Sequence, residues 1–166
     1  MIMERFMTDF YNEISIIEVK DLEFSENLLI WGIRIWFNFN NKKMNAVSRL
    51  RTVFKFNNVE EITYPFNKIM KLTTSYCFSN SGQFESCCRI LSVGELNFLN
   101  AIAHIQQRED EEGHKMISFW LPKFVLFDAF KQCIQIASGL EKAGYYIPLR
   151  YINKDRTKEF FNPTIH

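Results

Sequence analysis

The chain has 166 residues, with 20 Lys+Arg against 19 Asp+Glu and a formal net charge of +1. At roughly 100–200 residues per domain this length fits a single domain, 1–166. Its 47% hydrophobic and 16% aromatic residues, with only six Gly and four Pro, exclude a disordered, collagen-like or Pro/Gly-rich chain; the charge balance points neither to a strongly basic nucleic-acid binder nor to an acidic tail protein.

Charge is nonetheless unevenly spread: residues 1–30 sum to −5, residues 31–90 to +6 and residues 91–166 to zero. The plainest expectation is that the acidic start neutralises the basic middle within the fold. The first nine residues carry acids early and show no continuous apolar run, so no secretory leader is expected. The longest apolar stretch, Leu28 to Phe39, is interrupted by Arg34 and Asn38 and falls short of the roughly 20 residues a membrane span needs. Cys77, Cys87, Cys88 and Cys133 then read as reduced thiols of a cytoplasmic protein, with export by a route without a leader left open. Abundant Phe, Ile, Asn and Lys with few Ala fit an AT-rich bacterial genome.

The expected fold class is all-α: an irregular or orthogonal bundle of about five or six helices. The first 20 or so residues are ambiguous, with 1–24 read as a peripheral arm. Ser25 is placed to cap a helix whose apolar positions are Leu29, Ile33 and Trp36/Phe37, interrupted by the polar run Asn38 to Asn41. A second helix is predicted over Lys43 to Phe56, with Ala46, Val47, Leu50, Val53 and Phe54 on one face. A third spans about Val59 to Ser75, restarting or kinking at Pro65. Residues 76–90 read as irregular. Ser92-Val93-Gly94-Glu95 is a capping-box signature for a helix to about Gln107, and Asp110 is a candidate cap for a short helix. Pro122 is expected in the first turn of a last helix ending at Ala143, with Gly144 as left-handed terminator. Its residues Leu126, Phe130, Cys133, Ala137 and Leu140 make a 4-3-4-3 seam, with Lys123, Asp128, Lys131, Gln135 and Lys142 facing water. Tyr145 to Ile147 leave it as an extended segment, and residues 153–166 read as a frayed tail.

The segment Cys87-Cys88-Arg89-Ile90-Leu91-Ser92-Val93-Gly94-Glu95-Leu96-Asn97-Phe98-Leu99, followed by Gln106, with the upstream run Trp31 to Phe37, resembles a family of small alphaproteobacterial helical proteins of no assigned activity. In those a cysteine-containing loop leads into a Leu-Ser/Gly-x-x-Glu helix start; the adjacent cysteine pair here departs from the Cys-x-Cys spacing of some members. The resemblance covers about residues 29–145. It implies an all-helical bacterial protein and no reaction.

Cys77, Cys87, Cys88, His104 and His114 are numerous enough for a zinc site, but structural zinc favours Cys-x₂₋₄-Cys pairs and none is present. Cys87 and Cys88 precede the helix capped at Ser92, where a nucleophile paired with His104 or His114 would sit. No phosphate-loop, dinucleotide or nucleophile-elbow pattern occurs. The expectation is therefore a non-enzymatic adaptor, regulator or effector working through protein–protein contacts, with no metal, cofactor or catalytic residue, a homodimer left open and no membrane partner. Candidate contacts are Trp31, Trp36, Trp120, Tyr145 and Tyr146, because Trp and Tyr anchor interfaces. The alternative is a nucleic-acid-associated regulator using Lys42, Lys43, Arg49, Arg51 and Lys55, which border an apolar helical face without an intervening acid.

Overall fold

The computed structural model describes residues 17–77, 84 and 89–150. Among them are six α-helices and no strand, the all-α bundle that the periodicity predicts. The first helix, α1 (Phe24–Asn41), opens on a capping box formed by Glu23 and Glu26. Ser25 is thus not the cap. It is buried inside the first turn, and its hydroxyl donates to the Tyr146 carbonyl at 2.8 Å. The helix also runs through Asn38 to Asn41, and the chain turns only at Lys43, which takes a left-handed φ of 53°. That turn delays α2 (Ala46–Phe56), which begins three residues later than expected and is capped by the Asn45 side chain. Its predicted face forms: Ala46, Leu50 and Phe54 are buried, and Val47 and Val53 half-buried.

A 3-10 turn at Glu60–Ile62 leads into α3 (Thr63–Tyr76), whose Pro65 lies in the first turn, where an amide has no helical partner to lose. The capping box at Ser92 and Glu95 starts α4 (Val93–Gln106), buried at every position except the half-buried Asn100. Glu109, not Asp110, precedes α5 (Asp110–Ser118), whose first turn still carries Asp110, Glu111 and Glu112 at the positive end of the helix dipole. Pro122 stands ahead of a separate 3-10 turn, Lys123–Val125, so α6 (Leu126–Lys142) begins four residues after the expected start. Gly144 adopts φ 79° and ends it as predicted.

Helix α4 packs against α5, α6 and α1, while α3 lies on α6 and α2 joins α1 to α3. A chain of ring contacts runs through the centre: Phe54 to Phe66 at 5.3 Å, Phe66 to Phe98 at 6.0 Å and Phe98 to Trp120 at 6.4 Å. In α6, Leu126, Cys133, Ala137 and Leu140 are core as expected; Phe130 is half-buried against the His114 ring, and Ala129 and Ile136 take the interior instead. The physical reason is that a 4-3-4-3 seam is one edge of a wider buried face on a 3.6-residue helix. At Gly139 a Cβ would collide with Ile62, which fixes how closely α6 meets the 3-10 turn before α3.

Both described chain ends are held to this body. Glu18 and Ile90 form an antiparallel bridge, with Val19 N donating to Arg89 O at 2.7 Å and Leu91 N to Ile17 O at 2.9 Å. Leu22 is buried, so residues 17–24 are part of the body and not of an arm; 1–16 and the tail expected at 153–166 lie outside the described residues. The segment 145–150 straps the end of α6 across α4 and α1. Gln106 donates to Tyr145 O and accepts from Ile147 N, and Asn100 exchanges two hydrogen bonds with the Arg150 backbone.

Among the described residues the two charge blocks show no ion pair with each other; Glu4, Asp9 and Glu13 lie outside them. Glu26 pairs with Arg150, both contacts at 2.6 Å, and Arg34 from the basic middle pairs with Glu95 at 2.7 and 3.0 Å. The hydrogen bonds that Arg150 donates to Glu26 raise its guanidinium above the ordinary range. In each pair the carboxylate is essentially fully buried. These are structural locks between distant segments, and Glu95 serves twice, since it also accepts from the Ser92 amide.

Candidate protein-contact site

Helix α1 carries two apolar stripes. Leu29, Ile33 and Trp36 point into the core, as the sequence predicts. On the other side Phe24, Leu28, Trp31 and Ile35 follow one another by 4, 3 and 4 residues, the spacing of a helix-docking seam. This second stripe lines a groove of about 630 Å³, with Val19 and Val53 as apolar walls and Asn27, Arg34, Asn38 and Asn57 as its polar groups. From Phe24 to Asn38 the lining follows about 21 Å of helix at 1.5 Å per residue, so the site is a trough and not a round pocket.

Arg34 is held on the inward side of this trough. Its Nε and Nη2 grip the Glu95 carboxylate, and Nη2 also donates to Ile90 O at 3.2 Å. The charge is thereby directed at the core, leaving the groove an apolar floor with amide-bearing edges. At one end Phe24, 58% exposed, meets Tyr145 at a centroid distance of 5.6 Å.

The five aromatics expected at a contact surface therefore separate. Trp31 lines the groove, Tyr145 adjoins it through Phe24, and Tyr146 is 62% exposed beside them in sequence. Trp36 and Trp120 are corrections: both are buried, with Trp36 Nε1 donating to Asn67 at 2.9 Å and Trp120 Nε1 to Thr73 at 3.2 Å. An apolar helix position that also supplies its indole N–H with an acceptor is a core site, not a surface anchor.

The five basic residues are all exposed, and none lies within ion-pair distance of a carboxylate among the described residues. They do not share one helix. Lys42 and Lys43 occupy the turn after α1, while Arg49, Arg51 and Lys55 belong to α2, with Arg51 and Lys55 one turn apart and Arg49 on the other flank.

The thiol and imidazole candidates are scattered. Among the described residues no three His, Cys, Asp or Glu side chains are placed to hold a metal ion. Cys87 and Cys88 lie outside the described residues. Cys133 is fully buried, and burial pushes its thiol far above the ordinary range, which suppresses the thiolate a nucleophile needs. His104 is also buried, its Nδ1 2.6 Å from Glu109 Oε2, and His114 is exposed on α5.

Two sets of residues escape the sequence reading. One is the groove stripe of Phe24, Leu28 and Ile35. The other is an outward set around α6, where Phe124 and Phe127 are 74% and 80% exposed and Ile134 is also exposed. The signal for both is a second helical stripe in a window where the first stripe already accounts for burial.

No protein-family profile, curated protein or solved structure matches the chain. The resemblance read from residues 87–99 rests on those motifs alone. Among the described residues no helix is long and apolar enough to cross a membrane.

Proposed function

We propose that this chain is a non-enzymatic protein that works through protein–protein contacts, and that the groove along α1 receives the apolar face of a partner's amphipathic helix. One observation carries the reading: the outer stripe of α1 lines an open trough, with Leu28 buried at its base, Trp31 and Ile35 half-buried along it and Phe24 exposed at its end. A 4-3-4 row of apolar side chains offers holes to the knobs of a second helix, and helix-in-groove binding uses anchors at i, i+3/i+4 and i+7. Asn27, Asn38 and Asn57 provide hydrogen bonds that set orientation without the desolvation cost of a charge. Trp31 is the expected hot spot. A reducing bacterial cytoplasm is the proposed setting, in keeping with the buried, unbridged thiol of Cys133.

The test is affinity capture from native lysate with wild type, Ile35→Glu and the double variant Arg51→Glu/Lys55→Glu. A protein captured by wild type and by the double variant but lost with Ile35→Glu supports the reading. Capture that depends on Arg51 and Lys55 and ignores Ile35 contradicts it.

The exposed, acid-free basic residues favour a second reading, contact with nucleic acid through Lys42, Lys43, Arg49, Arg51 and Lys55. Phosphate-driven binding must weaken steeply as salt rises. A titration against mixed-sequence DNA and RNA that shows no binding even at low salt removes this alternative.

A further inference from the structure

The outward set on α6 is independent of the groove. Phe127, Phe130 and Ile134 fall at i, i+3 and i+7, one stripe that borders the buried seam at the half-buried Phe130 and turns Phe127 and Ile134 to solvent. Phe124 extends it at the N-terminal end and meets Tyr76 of α3 edge-on at 5.3 Å. Large aromatics expose roughly 150–250 Å² each when uncovered, so this continuous surface offers on the order of 400 Å² of apolar area. That equals the largest apolar patch of a typical monomer, about 300–600 Å², and such patches are commonly functional.

The charges beside the stripe choose the occupant. Asp128 and Lys131 are both exposed on its solvent edge, and neither is ion-paired among the described residues. If the same helix from another molecule lies antiparallel across it, with the twofold axis near Phe130, then Phe127 meets the other copy's Ile134 and the two Phe130 rings adjoin. The same register sets Asp128 of each copy opposite Lys131 of the other, twice by symmetry. A parallel pairing would set Asp128 and Lys131 of the two copies on opposite sides of the seam, so that neither meets an opposite charge. We therefore infer that the outer face of α6 is a self-complementary dimer surface whose partner is a second copy of this chain, bound antiparallel.

The experiment is sedimentation equilibrium of the full chain across a wide concentration range, with circular dichroism to confirm folding. Four variants accompany wild type: Phe127→Asp, Asp128→Lys, Lys131→Asp and the double exchange Asp128→Lys/Lys131→Asp. The expected result is a wild-type dimer, a dissociation constant raised at least about tenfold by Phe127→Asp, a several-fold weakening by each single reversal, and recovery in the double exchange. Should Phe127→Asp fail to fold, the three charge variants, altered only at exposed positions, decide the matter. A wild type that stays monomeric throughout, or a dimer indifferent to Phe127 and to the charges, overturns the assignment. Loss in the single reversals without recovery in the double exchange overturns the antiparallel pairing. A monomer whose stripe instead captures a different protein also contradicts it.

Discussion

The α1 groove and the outer face of α6 are both apolar stripes on helices whose other side builds the core, yet they differ in shape and in charge. The groove is concave, edged by asparagines, and its arginine is turned inward onto Glu95. The α6 face is convex and flanked by Asp128 and Lys131, opposite charges three residues apart. A concave trough with neutral polar edges suits a segment of different sequence, whereas a convex stripe with alternating charge suits its own antiparallel image. Counting exposed aromatics alone would have merged these two surfaces; shape and the sign of the neighbouring charges separate them.

Several substitutions can break or sharpen this contrast, and the largest effect is expected beneath the groove. Glu95→Ala removes one member of a buried ion pair and one half of the α4 capping box, and should cost about 3–5 kcal/mol in urea denaturation. A cost under about 1 kcal/mol, the range of an exposed pair, would mean that the Arg34 lock does not support the groove floor.

On the inner face of α6, Leu140→Ala should cost about 2–5 kcal/mol, because the side chain is fully buried. Nearby, Gly139→Ala forces a methyl into Ile62 and should cost about 1–3 kcal/mol by the same assay. Phe127→Asp on the outer face should leave monomer stability within about 0.5 kcal/mol, as for other surface changes. An inner–outer difference smaller than the error of the measurement would erase the distinction between the two faces.

The smallest expected effect concerns pH. Burial raises the Cys133 thiol from its ordinary value of 9.0, so the folded state keeps it protonated while the unfolded chain can ionise it. This contribution to stability is complete below about pH 9 and declines as pH rises toward the folded value, by about 1.4 kcal/mol per unit. Cys133→Ala should remove that component of the alkaline slope. Identical alkaline slopes in wild type and variant would place the thiol in contact with water and the inner seam of α6 with it.

Much of the fold was legible because inner stripes obey a single period. The Ser92–Glu95 box, the Gly144 stop, the α2 face and most of the α6 seam followed from spacing and capping chemistry. Helix starts were read less well where a tertiary contact decided them: Ser25 looks like a cap until its hydroxyl is seen to serve Tyr146, and Lys43 looks helical until it takes a left-handed turn. Net charge per block likewise does not give the pairing of single charges, since the partners of Glu26 and Arg34 lie 124 and 61 residues away. The candidate site was legible only through Trp31 and its neighbours Tyr145 and Tyr146. Periodicity finds the face that packs first, and a second stripe on the same helix becomes visible only once the first is known to be satisfied.

The most direct measurement of the central claim, that the α1 groove holds a protein segment, is site-specific photo-crosslinking in native lysate. A photoreactive side chain at Asn38, on the groove edge, is compared with one at Thr52, which is exposed on α2 and absent from the groove lining. The account predicts a discrete protein adduct at position 38, lost when Ile35→Glu is added, and none at position 52. No protein adduct at 38, or equal adducts at both positions, would contradict it.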